Sequence, residues 1–523
     1  MDAFYKYIGL SKNKGKTPAK TAQSTAPKPG QKVANAAPQV ANEGSLFVNG
    51  LIGFLTSVRN IQANYTENRG TVLPGYTPGL GFFGSSKPTL GFIFGSQDDV
   101  RYEAARNGWL TTYPNFNQNF TQVTSKTLNL TANIDLFPDF KVDLTADRNF
   151  VENYSEQYDV TDGQYNSRSP YTFGNYSIST NMLKTAFKTS DESFSSAFEE
   201  FRNNRLIIAN RLAENFYGAN PIPRYGEGAY SDLTNPIYAA NVGYPVGFGR
   251  NNQAVLLPSF LAAYTGLTGE GAGQAAKGIS LDAFRNIPIP NWTIKYSGLM
   301  RYTFFKENFK RFSIQNSYKA TYTLNSFRSN FEYDKAPTGY LPNGALNVDA
   351  GGNLYNKLLI SNVNLVEQFS PLVRLDFELK NSVKVLAEMK KDRALSLSFD
   401  NNLLTEVKGI EYIMGLGYRN KDVIFSSKLA DNPTGIIKSD INLRLDGSYR
   451  NSQTIVRYLD YNNNQLSGGQ NIWSAKLTAD YAFSKNFTAI FYYDHSFSKP
   501  VISTSFPITN IRGGFTLRYN FGN

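Results

Sequence analysis

The chain has 523 residues, a formal net charge of +11, one histidine and no cysteine. This length can fill a large core, the missing thiols exclude disulfide staples and thiolate metal sites, and a lone His495 excludes an imidazole metal cluster. Mean hydropathy is −0.37, as in soluble proteins, but a β-barrel gives the same average because the lumen-facing half of each strand is polar.

The first segment, "MDAFYKYIGLSK", has no apolar h-region and carries Asp2 where a signal peptide is basic. Residues 1–10 read as a strand end. Residues 11–43 are rich in Lys, Ala, Pro, Gln and Thr and cannot bury a core, so they read as a disordered linker. Lys12, Lys14, Lys16, Lys20, Lys28 and Lys32 make this linker the basic part of the chain. The rest is only mildly basic, which argues against a nucleic-acid surface. "SLFVNGLIGFL" (45–55) is too short for a membrane helix.

Barrel strands are expected over 44–150, around a Gly/Pro-rich loop at 67–126. The tight turn Phe137-Pro138-Asp139-Phe140 joins a hairpin there. A helix-containing insertion is expected at 151–290. Within it "TSDESFSSAFEEFRNNRLIIANRLAENFYG" has capping-box spacing at Thr189 and Glu192 and a C-terminal Gly218. A short apolar helix is expected at 254–264. C-terminal barrel strands fill 291–523, and the total is about fourteen.

Period-two alternation carries the fold assignment. "DINLRLDGSYR", "NIWSAKLTADYAF" and "IRGGFTLRYNFGN" each separate apolar from polar residues. About ten residues is the span of a tilted transmembrane strand. With 33 Tyr and 38 Phe, aromatic girdles are well supplied. The predicted class is all-β, an outer-membrane antiparallel β-barrel wall forming part of a barrel. Leu443, Leu477, Phe515 and Tyr519 are assigned to lipid, and Arg444, Lys476 and Arg518 to the lumen. Phe515, Leu517, Tyr519 and Phe521 form a candidate assembly signal, because an aromatic strand edge is a template for pairing.

Loop lengths give an orientation. With the C-terminus in the periplasm, short turns at 484–486, 451–452, 402–405, 381 and 306–309 fall on that side. Longer connections at 499–511, 461–470, 420–436 and 324–371 fall outside. The turn at 390–392 is short yet falls outside.

No catalytic constellation emerges. Asp494 and Ser496 flank His495 but point to the opposite face of a strand, so His495 reads as structural or at a loop rim. The Gly-rich stretches 81–95 and 247–252 match no phosphate loop. Neither a cofactor nor an enzyme activity is expected.

The chain resembles the C-terminal part of the SprA/Sov family, the outer-membrane translocon of the type IX secretion system in Bacteroidetes. "LPGYTPGLGFFG" (73–84), "GFIFGSQDDVRYEAARNGWL" (91–110) and "LTADRNFVENYSEQYDV" (144–160) carry the resemblance. So do "FGNYSISTNMLKTAF" (173–187), "FEEFRNNRLIIANRLA" (198–213), "LSLSFDNNLLTEVKGIEYIMGLGYR" (395–419) and "SFPITNIRGGFTLRYNFGN" (505–523). It spans about 45–523. The resemblance implies a non-enzymatic conduit that exports proteins, gliding-motility adhesins included. Its implied partners are the remaining N-terminal part of the translocon, other type IX components, outer-membrane lipid and the barrel assembly machinery. Family members are longer, with a signal peptide and N-terminal repeats. The chain is therefore expected to be a fragment, a split gene product or a mis-started frame. The alternative is a self-contained porin or small-solute channel.

Overall fold

The computed structural model describes residues 57–79, 89–94, 96, 98–265, 273–426, 435–461, 463–483 and 487–521. The expected strand end at 1–10, the linker at 11–43 and the turn at 484–486 lie outside the described residues.

One antiparallel sheet of fourteen strands makes up the wall. In chain order they are β1 (Val58–Val72), β2 (Phe120–Phe137), β3 (Phe140–Thr161), β4 (Gln164–Ser179), β5 (Asn291–Tyr296), β6 (Phe309–Ser329) and β7 (Leu358–Ile360). Then follow β8 (Asn362–Leu379), β9 (Val383–Ser398), β10 (Leu403–Ser426), β11 (Ile436–Tyr458), β12 (Asn464–Ala482), β13 (Phe487–Pro500) and β14 (Ile508–Tyr519). Twelve of them form a continuous path from β1 to β14, with β5 and β7 beside it. β1 and β14 are the two edges, and no pairing joins them among the described residues.

β5 completes β4. Both lie between β3 and β6: β4 pairs with β3 from Arg148 onward and β5 with β3 residues Phe140 to Thr145. The chain leaves this column at Ser179 and returns at Asn291. The break is closed by Ile289 N donating to Ser179 O at 3.0 Å and Thr180 N donating to Ala320 O at 3.0 Å. The insertion is therefore 180–290 rather than 151–290. Gly, Ser and Asn in "DGQYNSRSPYTFGN" hide the alternation of β4. At Gly174 the residue type is required by space, since a Cβ would lie 2.0 Å from Val151 O and 2.5 Å from the Phe327 ring.

Register corrects three further expectations. Val72 pairs with Thr121, so the loop is 73–119 rather than 67–126. No turn exists at 451–452 or 390–392, because Asn451 pairs with Ile410 and Asn471, and Lys391 with Ile410. Polar residues there imitate turn signals inside strands of 23 and 16 residues. With those two turns removed, the connections 399–402 and 427–435 change ends. One end of the wall carries 138–139, 297–308, 380–382 and 427–435. The other carries 73–119, 162–163, 330–361, 399–402, 459–463 and 501–507.

The insertion is helical: α1 (Leu183–Ala186), α2 (Ser196–Tyr217) and α3 (Gln253–Tyr264) are its main elements. Ser195, not Thr189, caps α2, accepting from Phe198 N at 3.4 Å, because the chain before it is extended. Gly218 ends α2 at φ 59°, a left-handed position that favours glycine. Phe198 and Phe201 of α2 and Phe260 of α3 pack on Tyr318, Tyr322, Leu324, Leu395 and Leu397 of the wall. This core sits on one face of the sheet, toward the end that carries 73–119.

Candidate functional site: a wall with one charged and one apolar face

Alternation places whole rows of side chains on each face. One row runs Phe312, Phe377, Val385, Leu416, Leu445, Leu477 across β6, β8, β9, β10, β11 and β12. A parallel row runs Ile314, Leu375, Ala387, Met414, Gly447. Together they form an apolar belt, with Tyr412, Tyr449 and Trp473 along its far side. The rings of Phe312 and Phe377 stack at 5.6 Å and those of Tyr449 and Trp473 lie 5.2 Å apart.

The opposite face is a ladder of alternating charge. Arg311 lies 3.1 Å from Asp376, and Arg374 3.4 Å from Glu388. Lys390 reaches Glu388 at 3.5 Å and Glu411 at 3.8 Å. Arg450 meets Asp392 at 2.9 Å, Arg444 meets Asp446 at 2.7 Å and Lys476 lies 3.9 Å from Asp494. Most of these groups are partly exposed, so each pair contributes little stability. What the ladder provides is a wettable surface with no large field of one sign. A Cβ on Gly415 would stand 2.9 Å from the Asp446 carboxylate.

The predicted residues divide between these faces. Leu443, Leu477, Phe515 and Tyr519 share the belt face with Tyr418, Tyr493, Phe491 and Phe487 as their cross-strand partners. Arg444, Lys476 and Arg518 share the ladder face with Thr478, Asp494 and Thr488. Phe515, Leu517, Tyr519 and Phe521 are exposed along the β14 edge, Phe521 at 93 %. His495 pairs with Ala475 and Ile511, with Tyr493 Oη 3.3 Å from its Nδ1, while Asp494 and Ser496 point the other way.

Sequence reasoning missed a set of buried charges. Arg457 is 0 % exposed and Glu406 1 %. Arg457 Nη2 donates to Glu406 Oε2 at 2.9 Å, to Ser190 Oγ at 2.9 Å and to Asp191 O at 2.8 Å. Arg393 Nη2 donates to Glu367 Oε2 at 3.0 Å and to Thr185 Oγ1 at 2.7 Å. Tyr318 Oη donates to the other oxygen of Glu367 at 2.9 Å. Both clusters join the wall to the insertion. A third holds the loop 73–119: Arg101 meets the buried Glu156, which also accepts from Tyr165 Oη at 2.5 Å. Arg101 is also the principal cause that holds the Asp99 carboxyl below its usual pKa, by a side-chain hydrogen bond. The missed signal is a charge at an apolar-parity position: Glu406 after Leu404, Arg393 before Leu395, Arg457 between Ile455 and Leu459.

No family model matches the chain, and no curated protein matches it. Among solved structures it is similar to OmpT (in-vitro folded), an outer membrane protein of Vibrio cholerae in trimer form. Identity is 9%, the match covers 77% of this chain and 94% of that chain, and the TM-score is 0.18. At that score the likeness identifies no shared function.

Removing one partner of a buried pair leaves an uncompensated charge, at a cost of about 3–5 kcal/mol. Arg457→Leu should therefore expose 180–290 to protease at lower denaturant than wild type. The double change Arg457→Leu with Glu406→Leu should recover much of that loss. Equal sensitivity of the single and double variants in limited proteolysis would show that the ion pair does not hold the insertion.

Proposed function

We propose that the chain is a segment of the outer-membrane protein-conducting channel of the type IX secretion system, exporting proteins, gliding-motility adhesins among them, to the cell surface. One observation carries the reading: a two-faced wall whose terminal strands β1 and β14 are not paired with each other among the described residues. In lipid, every edge N–H and C=O needs a partner. The resemblance of 45–523 to the SprA/Sov family supplies one, the strands of the remaining N-terminal part of the translocon.

Under this reading the belt meets outer-membrane lipid through Leu443, Leu477, Phe515 and Tyr519. The ladder, with Arg444, Lys476 and Arg518, lines the lumen along which exported proteins pass. The wall acts as a passive, non-enzymatic conduit, and other type IX components supply gating and energy. The insertion packs on the belt face, beyond the belt, so it stands outside the wall on the cell-surface side rather than in the lumen.

The alternative, a self-contained porin, closes β1 on β14. The chain has no native cysteine, so a cysteine walk separates the two: Thr516→Cys against Asn60→Cys, Gln62→Cys or Asn64→Cys. We expect no β1–β14 cross-link, and co-purification with further translocon strands. An efficient cross-link in the native membrane would establish the porin instead.

The face assignment has its own test. An Arg in mid-membrane on the lipid side costs roughly 2–4 kcal/mol, whereas a lumen position tolerates exchange. Leu477→Arg should lower the yield of folded, heat-modifiable protein far more than Lys476→Leu. Equal yields would remove the assignment.

The β14 edge is also the segment that the barrel assembly machinery would pair with first. Deleting Tyr519 to Asn523 should then leave the chain uninserted and degraded. Normal membrane levels of the truncated chain would reduce these aromatics to an interfacial girdle.

A further inference from the structure

Two polar rows follow the belt on its own face. Past Met389, Tyr412 and Tyr449 comes the row Lys391, Ile410, Asn451, then the row Arg393, Lys408, Gln453. The insertion roofs these rows, leaving a crevice of about 210 Å³ lined by Lys188, Ser190, Lys391, Lys408, Asn451 and Gln453. Arg393, Glu406 and Asp392 also reach it, but each is committed, Arg393 to Glu367, Glu406 to Arg457 and Asp392 to Arg450. Lys188 lies 3.6 Å from Glu200.

Lys391 and Lys408 are different. Among the described residues neither has a carboxylate within 4.0 Å. The Lys391 ammonium sits 4.6 Å from the centre of the Phe187 ring, and Lys408 donates to the Ser190 carbonyl. Adjacent strands thus bring two cations with no direct ion pair into one crevice whose lining carboxylates are already paired elsewhere, an arrangement that favours binding an anion. Asn451 and Gln453 add neutral donors, and lysine is a point-charge partner for phosphate. Beside the crevice, the insertion exposes Phe187 at 63 % and Leu183 at 39 %. Aromatic and apolar residues beside lysines, directly past an apolar belt, are the pattern of a membrane interface.

We propose that this crevice binds a phosphate-bearing headgroup of an outer-leaflet lipid, with Lys391 and Lys408 as its principal contacts. The inference rests on the reading of the belt as lipid-facing. The headgroup sits at the waterline, its phosphate between the two ammonium groups and its acyl chains along Met389, Tyr412 and Tyr449. The insertion is then fastened at three places, by the two buried ion pairs and by a lipid.

The test uses the protein extracted with its partners from native membranes and returned to phosphatidylcholine nanodiscs, with lipid A as the probe. Native mass spectrometry reads retained lipid A. Lys391→Gln with Lys408→Gln should reduce retention by about tenfold or more, as expected for loss of two charge-assisted contacts. Lys391→Arg with Lys408→Arg should keep it, as should Lys476→Gln on the other face. Heat-modifiability confirms that each variant is folded. Undiminished retention in the folded Gln variant overturns the proposal. So does inorganic phosphate displacing lipid A at comparable concentration, which would make the site one for free phosphate. If the comparison of Leu477→Arg with Lys476→Leu fails, the lipid-facing belt itself is wrong. If that comparison holds and retention is unchanged, the headgroup site alone is wrong.

Discussion

Backbone pairing across so wide a sheet leaves each strand a single choice, which face carries which residues, and a slip of one residue reverses that choice for the whole strand. Every strand of the wall must choose consistently with its neighbours. Leu445 stands beside Leu416 and Leu477 only because Arg444 stands beside Gly417 and Thr478. Shifting β11 by one residue would put Arg444 and Arg450 into the belt and Leu445 among the charges. The belt, the ladder and the position of the insertion all follow from that one periodicity.

The same rule explains why the insertion is tied down with charge. Its helices bury apolar surface on the wall, and that surface continues the belt face. An apolar contact alone would not fix its position along the strands, because the belt offers more of the same. Glu367, Arg393, Glu406 and Arg457 mark one position on the apolar face where a polar partner must arrive, and Thr185, Ser190 and Asp191 supply it. Buried ionic groups are poor sources of stability but serve as register marks.

The all-β class, the belt residues and the helix ending at Gly218 were legible because alternation and helical period are local. The column built from β4 and β5 was not legible, because its halves are separated by residues 180–290 and meet only through β3 and β6. Turns were misread at 390–392 and 451–452 because Lys390, Lys391, Asp392, Asn451 and Ser452 are polar. In strands confined to a bilayer such a run ends the strand. Here β9 and β11 continue past it, and the polar residues are where the wall changes neighbours, from the belt to the insertion. The buried ion pairs depend on long-range partners and leave only a breach of alternation as their trace.

Strand length has a mechanical meaning. A transmembrane strand needs about 9–11 residues, whereas β10 has 24 and β11 has 23. At about 3.3 Å per residue, both are longer than the proposed lipid-facing reading requires. Part of the surplus, at Glu406 of β10 and Arg457 of β11, is where the insertion is held.

The divided column sets an order on assembly. β3 and β6 cannot be joined over their full height until Ser179 and Asn291 are brought side by side, where Asn291 Nδ2 donates to Ser179 Oγ at 3.2 Å. Closing so long a loop has an entropic cost that the local hairpins β2–β3 and β12–β13 avoid. The column is therefore expected to close after the hairpins on either side of it. The insertion is then the clasp that joins the two parts of one column.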